Sequence, residues 1–166
     1  MNRIRYTILP QDFHGHRFAV TLDIPSRIVS KEGVQVQLPS WIPGSYMVRE
    51  FSKQLIAVNA FQHSTACDIT QTAKATWQVQ ADPNQALTVQ YRMHAYDASV
   101  RTAWLDANRG FFNPTSLCMM AIGHEHQPHH LHIPQPEHCP HWRLACSLPV
   151  VKTNAKGFGT YVAADY

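Results

Sequence analysis

The chain has 166 residues, of which 45% are hydrophobic and 15% are charged, and its formal net charge is +3. This composition predicts one globular domain with a sizeable core and excludes a disordered chain. Lysine and arginine are scattered along the sequence, so a nucleic-acid-binding role has little electrostatic support. No run of about 18 or more apolar residues occurs, and no membrane span is therefore predicted.

Two further features bear on the compartment. The first residues, 1–13, alternate in character and do not form a basic start followed by an apolar block, so no secretory signal is predicted. The cysteines form no CxxC pair and no dense framework; they are Cys67, Cys118, Cys139 and Cys146. This usage is typical of reduced thiols in a cytosolic protein, and we expect a cytoplasmic location.

Alternation of apolar and polar residues predicts strands from the start of the chain. Every second residue is apolar in the segments 3–9, 17–24 and 34–38, so the apolar side chains of each segment would share one face of a strand. Further strands are predicted at 54–61, 76–80, 86–96 and 142–148, with shorter ones between 104 and 120. The turn signal Asp82-Pro83-Asn84 has the length of a hairpin connection. With no sustained helical period and no long linker, residues 1–166 are predicted to form a single all-β domain, an antiparallel β-sandwich.

The segment Leu38–Phe51, LPSWIPGSYMVREF, is here named the corner segment. Its Pro43-Gly44 pair suits the two central positions of a type II turn. The prolines stiffen the backbone, so the segment is predicted to aim Trp41, Tyr46 and Arg49 at another surface. Residues 47–54 are compatible with a short helical turn.

A histidine-rich tract raises the question of a metal site. Seven of the 11 histidines lie between His124 and His141, but the first of them begins HEHQP, so the HExxH zinc-peptidase motif is absent. His130 and His132 would share one face of a strand and are the best candidate ligands. The prolines of the tract favour an extended, solvated loop instead, and adventitious binding of metal is the preferred interpretation.

Other candidate chemical groups have structural interpretations. No GxSxG element surrounds a serine, and the apolar surroundings of Cys118 and Cys146 favour inert core cysteines. Arg49-Glu50 and Asp97…Arg101 are interpreted as ion pairs that hold loops, in preference to a substrate role. The aromatic residues Trp77, Phe111 and Phe112 are predicted to be core.

Two long stretches together resemble a known family. They are LPSWIPGSYMVREFSKQLIAVNAF and YRMHAYDASVRTAWLDANRGFFNPTSL, followed by a W-x-L-A-x-x-L-P element at 142–149 and the ending FGTYVAADY. From Tyr6 to Tyr166 the chain closely resembles the N-terminal domain of the glycyl aminopeptidase family of zinc metallopeptidases. The histidine-rich tract departs from that pattern.

The resemblance implies a saddle-like β domain, as in aminopeptidase N relatives, which packs on a catalytic domain and forms a wall of the substrate cleft. A zinc-binding HExxH domain, usually followed by a PDZ-like domain, would continue after residue 166. The full enzyme would remove N-terminal residues such as Gly or Ala from peptides with zinc as cofactor. This chain alone would be inactive, would bind no cofactor and could self-associate through its uncovered face.

The resemblance also suggests site residues. Asn113 and Thr115 are the candidates for binding the free amine of the substrate, because a side-chain carbonyl can accept a hydrogen bond from an ammonium group. The alternative interpretation of Asn113-Pro114 is a simple turn. The candidate domain interface comprises Trp41, Tyr46, Arg49, Asp97, Arg101 and Phe112.

Two interpretations from other functional classes stay open. One is a stand-alone β-sandwich module that binds carbohydrate or peptide through Trp41, Tyr46 and Trp104. The other is a metal-handling protein that depends on the histidine-rich tract.

Overall fold

A computed structural model describes residues 3–166. Fourteen strands follow one another within this range: β1 Ile4–Asp12, β2 Arg17–Ile24, β3 Val34–Gln37, β4 Leu55–Gln62, β5 Thr65–Cys67, β6 Ile69–Ala73, β7 Thr76–Val79, β8 Leu87–His94, β9 Ala103–Leu105, β10 Gly110–Phe112, β11 Met120–Ala121, β12 His129–Ile133, β13 Val150–Thr153 and β14 Gly159–Ala163. Short 3₁₀ helices occupy Ser26–Ile28, Phe51–Gln54 and Pro114–Ser116. Within the described residues no helix is long and apolar enough to cross a membrane.

The strands form three sheets. The largest has eight strands in the order β13-β14-β12-β1-β2-β8-β4-β5, and a second has four in the order β11-β3-β7-β6. Strands β9 and β10 form a separate two-stranded sheet. All pairings are antiparallel except that of β1 with β12, in which Ile4 lies opposite His129. The predicted all-β, sandwich-like class is confirmed.

The core lies between the large sheet and the smaller ones. Alternate residues of β1, β2, β3 and β8 are buried, among them Ile4, Phe18, Val36 and Met93. This is the burial expected when each strand presents one face to the core and the other to solvent. The alternation therefore predicted both these strands and the faces that they bury.

One predicted strand is absent. Residues 142–148 run without regular strand pairing. The predicted alternation of burial is nevertheless present, because Trp142, Leu144, Cys146 and Leu148 pack against the core while residues 143, 145 and 147 are exposed. The N–H of Leu144 donates to the carbonyl of Lys156 at 2.8 Å, a loop-type hydrogen bond outside any strand ladder. The prediction was wrong because a segment can bury every second side chain without belonging to a hydrogen-bonded ladder.

The histidine-rich tract and the Asp82-Pro83-Asn84 turn also depart from the predictions. Residues 129–133 of the tract form β12 in the interior of the large sheet, with Leu131 and Ile133 buried, so this part is not a solvated loop. The turn is present, but β7 and β8 belong to different sheets and make no hairpin. Pairings between distant parts of the sequence decide both outcomes.

Candidate functional site

The corner segment is a stiff loop anchored by buried residues. The N–H of Ser45 donates to the carbonyl of Ile42 at 3.1 Å, and Gly44 has a φ of 77°. These features confirm the predicted type II turn, since its third residue needs a positive φ. Ile42 and Ser45 are buried, while the guanidinium of Arg49 donates to Ser45 Oγ at 3.3 Å. The predicted helical turn follows directly as the 3₁₀ helix Phe51–Gln54.

This anchoring leaves large apolar side chains in solvent. Trp41, Tyr46, Met47 and Val48 are exposed and are here named the apolar ridge; Val48 keeps 71% of its surface accessible. Tyr46 is fully exposed. Several large apolar side chains exposed on one short loop mark an interaction site more often than an isolated exposed leucine does. Two of the predicted interface residues, Trp41 and Tyr46, therefore lie on the surface best suited to a partner.

A cavity of about 320 Å³, the corner cavity, lies beside the ridge. Met47, Val48, Arg49, Tyr96 and Asp97 contribute to its lining. The fold thus brings the predicted interface residues Arg49 and Asp97 to one place, although they are far apart in sequence. Of the remaining predicted residues, Arg101 is exposed in the nearby turn at 97–102.

Phe112 lies elsewhere and is half-buried, with its ring edge-on to that of Phe18 at 5.5 Å between centroids. Its neighbour Phe111 keeps 41% of its surface exposed, so the prediction that Phe111 belongs to the core was wrong. The core predictions for Trp77 and Phe112 hold, since Trp77 is buried and Phe112 packs against the core.

An aromatic stack borders the corner cavity. The rings of Tyr96 and Trp104 stack at 4.3 Å, His16 lies against Tyr96 at 4.0 Å, and the Arg109 guanidinium lies 6.0 Å from the Trp104 ring. His94 meets His16 edge-on at 6.1 Å and also lines the cavity. Sequence reasoning missed both histidines, because it is the pairing of β2 with β8 that brings them together.

The predicted ion pairs are replaced by other contacts. Glu50 pairs with Lys74 instead of with Arg49, and the Lys74 ammonium beside it lowers the pKa of that carboxyl. Asp97 accepts a hydrogen bond from the N–H of Ser99 at 2.9 Å. Between residues 3 and 166 no ion pair joins Asp97 to Arg101, so that prediction was wrong.

The candidate substrate-binding residues lie at a 3₁₀ helix. Asn113 caps the N-terminus of Pro114–Ser116, where its Oδ1 accepts from Thr115 N–H at 3.2 Å and from Thr115 Oγ1 at 2.6 Å. Both lone pairs of the amide oxygen are thereby used locally. Each of the two residues is half-buried. Asn113 therefore serves the turn, and substrate could use its oxygen only in place of Thr115.

Three tyrosines hold the backbone that follows this helix; Tyr6, Tyr91 and Tyr166 are here named the tyrosine clamp. Their hydroxyls donate to three successive carbonyls: Tyr91 to Leu117 at 2.8 Å, Tyr166 to Cys118 at 2.7 Å and Tyr6 to Met119 at 2.7 Å. Tyr91 Oη also accepts from Met119 N–H at 2.9 Å.

Burial raises the pKa of each clamp hydroxyl well above its ordinary value, so all three stay protonated donors at neutral pH. Burial likewise raises the pKa of the Cys118 thiol to about 12. That shift agrees with the prediction of an inert core cysteine.

A second cavity, of about 260 Å³, is here named the Tyr166 cavity. Its lining includes Thr115, His129, Leu131, Ala163 and Tyr166. Thr115 lines the Tyr166 cavity, and Ser116 lines the corner cavity. The short helix with the candidate substrate residues thus borders both cavities.

The candidate metal ligands are already engaged. His130 Nε2 lies 2.9 Å from Nη1 of Arg3, and His132 Nδ1 lies 3.0 Å from Thr160 Oγ1. Burial, Arg3 and Arg5 lower the pKa of His130, and a positive neighbourhood that disfavours the imidazolium also disfavours a metal cation. Among residues 3–166 no group of three or more histidine, cysteine or acidic side chains is arranged to hold a metal. His130 and His132 are thus without a third such donor arranged beside them in the described part of the chain.

Comparison with known proteins places these features in a family. The family model described as the Peptidase M61 N-terminal domain matches residues 5–166. No curated protein sequence matches the chain significantly.

Two solved structures resemble the chain to different degrees. A crystal structure of an aminopeptidase N family protein from Idiomarina loihiensis superposes with a TM-score of 0.92 and 39% identity, over 98% of this chain and 27% of that one. An M1 zinc metallopeptidase from Deinococcus radiodurans gives a TM-score of 0.46 and 14% identity, over 96% of this chain and 37% of that one. This chain thus matches about a quarter of the length of the Idiomarina loihiensis protein.

The resemblance found in the sequence, to the N-terminal domain of glycyl-aminopeptidase-type metallopeptidases, is confirmed. The motifs that carried it map to the corner segment, to β8–β10 and to the clamped backbone. Since the family model covers nearly the whole chain, the protein belongs to the Peptidase M61 N-terminal domain family.

Proposed function

We propose that this chain is the non-catalytic N-terminal domain of a cytoplasmic zinc aminopeptidase that removes Gly- or Ala-type residues from peptides. Residues 1–166 form one domain, and a catalytic domain that binds the zinc follows them. The domain packs on that catalytic domain and forms one wall of the substrate cleft. The free thiols Cys67, Cys118, Cys139 and Cys146 support a reducing compartment.

The observation that carries the proposal is the apolar ridge beside the corner cavity. Four large side chains project from a loop whose backbone is fixed by a type II turn and by buried anchors. A single globular domain has no internal use for such a surface, whereas a neighbouring domain would bury it. The 39% identity to a relative whose chain is almost four times as long is in accord with such a neighbour.

In this proposal Asn113 and Thr115 face the free amine of the substrate. The Asn113 oxygen exchanges its bond from the Thr115 hydroxyl for one from the substrate ammonium. The released hydroxyl then has its own lone pairs available for a second N–H of that ammonium. The tyrosine clamp keeps the adjacent backbone fixed during this exchange, which limits the entropy lost when substrate binds.

The test measures hydrolysis of glycyl and alanyl p-nitroanilides by this chain and by the product of its complete open reading frame, with and without zinc. Activity only in the longer product is expected. In that product Asn113→Ala is expected to raise KM for a substrate with a free amine about tenfold or more, because one charge-assisted hydrogen bond contributes roughly 1.5–3 kcal/mol. The exposed-surface control Asn59→Ala should leave KM unchanged.

Other outcomes separate the alternatives. Hydrolysis by the 166-residue chain itself would refute the proposal. A reading frame that encodes no further domain, together with absent hydrolysis, would favour a stand-alone binding module. Tight stoichiometric zinc binding that is lost on replacing His130 and His132 would favour a metal-handling protein.

A further inference from the structure

The Tyr166 cavity is lined mainly by apolar atoms. Its walls include the aliphatic side chains of Leu131, Leu148 and Ala163 together with the rings of Tyr6 and Tyr166. A volume of about 260 Å³ exceeds the roughly 150 Å³ in which an apolar cavity already holds a benzene-sized molecule. The cavity therefore has room for one aromatic or branched aliphatic side chain.

One polar group in the lining lacks a partner. His129 is 4% exposed, and its Nε2 is buried without a hydrogen-bond partner in the part of the chain that the structure describes. Its other ring nitrogen, Nδ1, lies 2.6 Å from the carbonyl oxygen of Gln127. A carbonyl only accepts, so Nδ1 carries the proton and Nε2 of the neutral ring is an unsatisfied acceptor.

The ring of His129 is also fixed in place. It stacks on Tyr6 at 5.9 Å between centroids and meets Tyr166 edge-on at 6.0 Å. Burial lowers the pKa of His129, which agrees with a neutral ring. A buried unpaired acceptor is costly, and such groups in native proteins generally have a partner.

We propose that the Tyr166 cavity is the socket for an apolar side chain of the domain that follows in the full-length protein, and that an N–H or O–H group beside that side chain donates to His129 Nε2. The inference rests on the proposed function, because it requires a following domain. It adds a specific docking point that lies apart from the apolar ridge.

The position of the cavity identifies the occupant. Ala163, Asp165 and Tyr166 form one wall, so a residue joined to Tyr166 starts within about 4 Å of that residue's Cα. The solved relative continues well beyond the matched region, which is 27% of its chain. A following domain is therefore at high effective concentration at this wall, and burial of one apolar side chain there needs little further ordering of the chain.

The experiment compares three variants of the full-length protein with the wild type. Ala163→Phe fills the socket from its wall, and His129→Phe keeps a ring but removes the acceptor. Ala57→Phe is the matched control, since Ala57 is a half-buried strand alanine in a groove on the outer face of the large sheet. The measurement is the rate of proteolytic separation of the two domains under native conditions, together with the thermal midpoint of each variant in the 166-residue chain.

The expected result is separation about tenfold or more faster for Ala163→Phe and for His129→Phe, and within about twofold of wild type for Ala57→Phe. In the 166-residue chain His129→Phe should change the thermal midpoint little, because removal of the unpaired acceptor Nε2 offsets loss of the hydrogen bond from Nδ1–H to the Gln127 carbonyl. If Ala163→Phe unfolds the 166-residue chain, the separation rate of His129→Phe alone tests the socket.

Separation rates of both variants that match the control would overturn the socket. If the variants match the control in this way and the wild type has aminopeptidase activity, only the socket is overturned and the proposed function stands. Conversely, an inactive wild type whose domains separate faster in both variants would overturn the proposed function and leave the socket in place. A reading frame without a following domain would overturn both.

Discussion

Replacing Tyr91 by phenylalanine tests the tyrosine clamp most directly. The ring of Tyr91 is buried, and the substitution removes only its hydroxyl. That hydroxyl both donates to the Leu117 carbonyl and accepts from the Met119 N–H. Because Leu117 and Met119 are themselves buried, water does not replace the lost partner. The variant leaves two buried backbone groups unsatisfied.

The hydrogen bonds of the clamp give the expected loss of unfolding free energy in Tyr91→Phe and a comparison with Tyr6→Phe. Each buried group left without a partner costs about 1–3 kcal/mol, so Tyr91→Phe should lower the free energy of unfolding by about 2–6 kcal/mol. Tyr6→Phe removes the partner of one carbonyl, that of Met119, and should lower it by about half as much. Against the roughly 5–15 kcal/mol typical of a domain, both effects are measurable.

The assay is urea unfolding followed by tryptophan fluorescence, with the free energy obtained by linear extrapolation. Tyr46→Phe is the control, since Tyr46 is fully exposed and its hydroxyl can bond to water. The reasoning is refuted if Tyr91→Phe costs no more than Tyr6→Phe. Equal costs would mean that the Met119 N–H finds another partner when the hydroxyl is absent.

Two further predictions concern pH and backbone geometry. Burial lowers the pKa of His129 below its ordinary value near 6.5. At a pH below about 6.5 the unfolded chain therefore binds more protons than the folded chain, so the free energy of unfolding should fall as the pH drops below that value. Urea midpoints at pH 7.5 and pH 5 should differ less in His129→Phe, and an equal difference would argue against this assignment. Gly33 and Gly44 both have a φ of 77°, but a Cβ on Gly33 would lie 2.0 Å from the Val79 carbonyl oxygen while one on Gly44 meets nothing within 4 Å. Thermal unfolding should therefore show Gly44→Ala losing about 1 kcal/mol and Gly33→Ala clearly more, and equal losses would contradict the clash.

Local pattern predicted the parts of the fold that depend on local chemistry. The strands β1, β2 and β3 alternate in sequence as they do in burial, and the Pro43-Gly44 turn has the geometry that its residues favour. The interface residues Arg49 and Asp97 were predicted through the family resemblance, and the structure adds that both line one cavity.

The features that escaped prediction depend on distant pairings. The parallel pairing of Ile4 with His129 creates β12 and buries a histidine that composition assigned to a solvated loop. Likewise, no local signal shows that the turn after β7 changes sheets. For the candidate site, the capping bond from Thr115 to Asn113 is local, but the tyrosines that hold the next residues come from β1, β8 and the region after β14.

The clamp has a mechanical consequence for the domain as a whole. Tyr166 donates from its hydroxyl to Cys118 and from its N–H to the Glu125 carbonyl at 2.9 Å, so the exit of the chain is tied at two points to the segment after Asn113 and Thr115. If a following domain is joined to Tyr166, as proposed, a displacement of that domain would pull on this segment directly through the two hydrogen bonds. The position of Tyr166 and that of the helix with Asn113 should therefore change together.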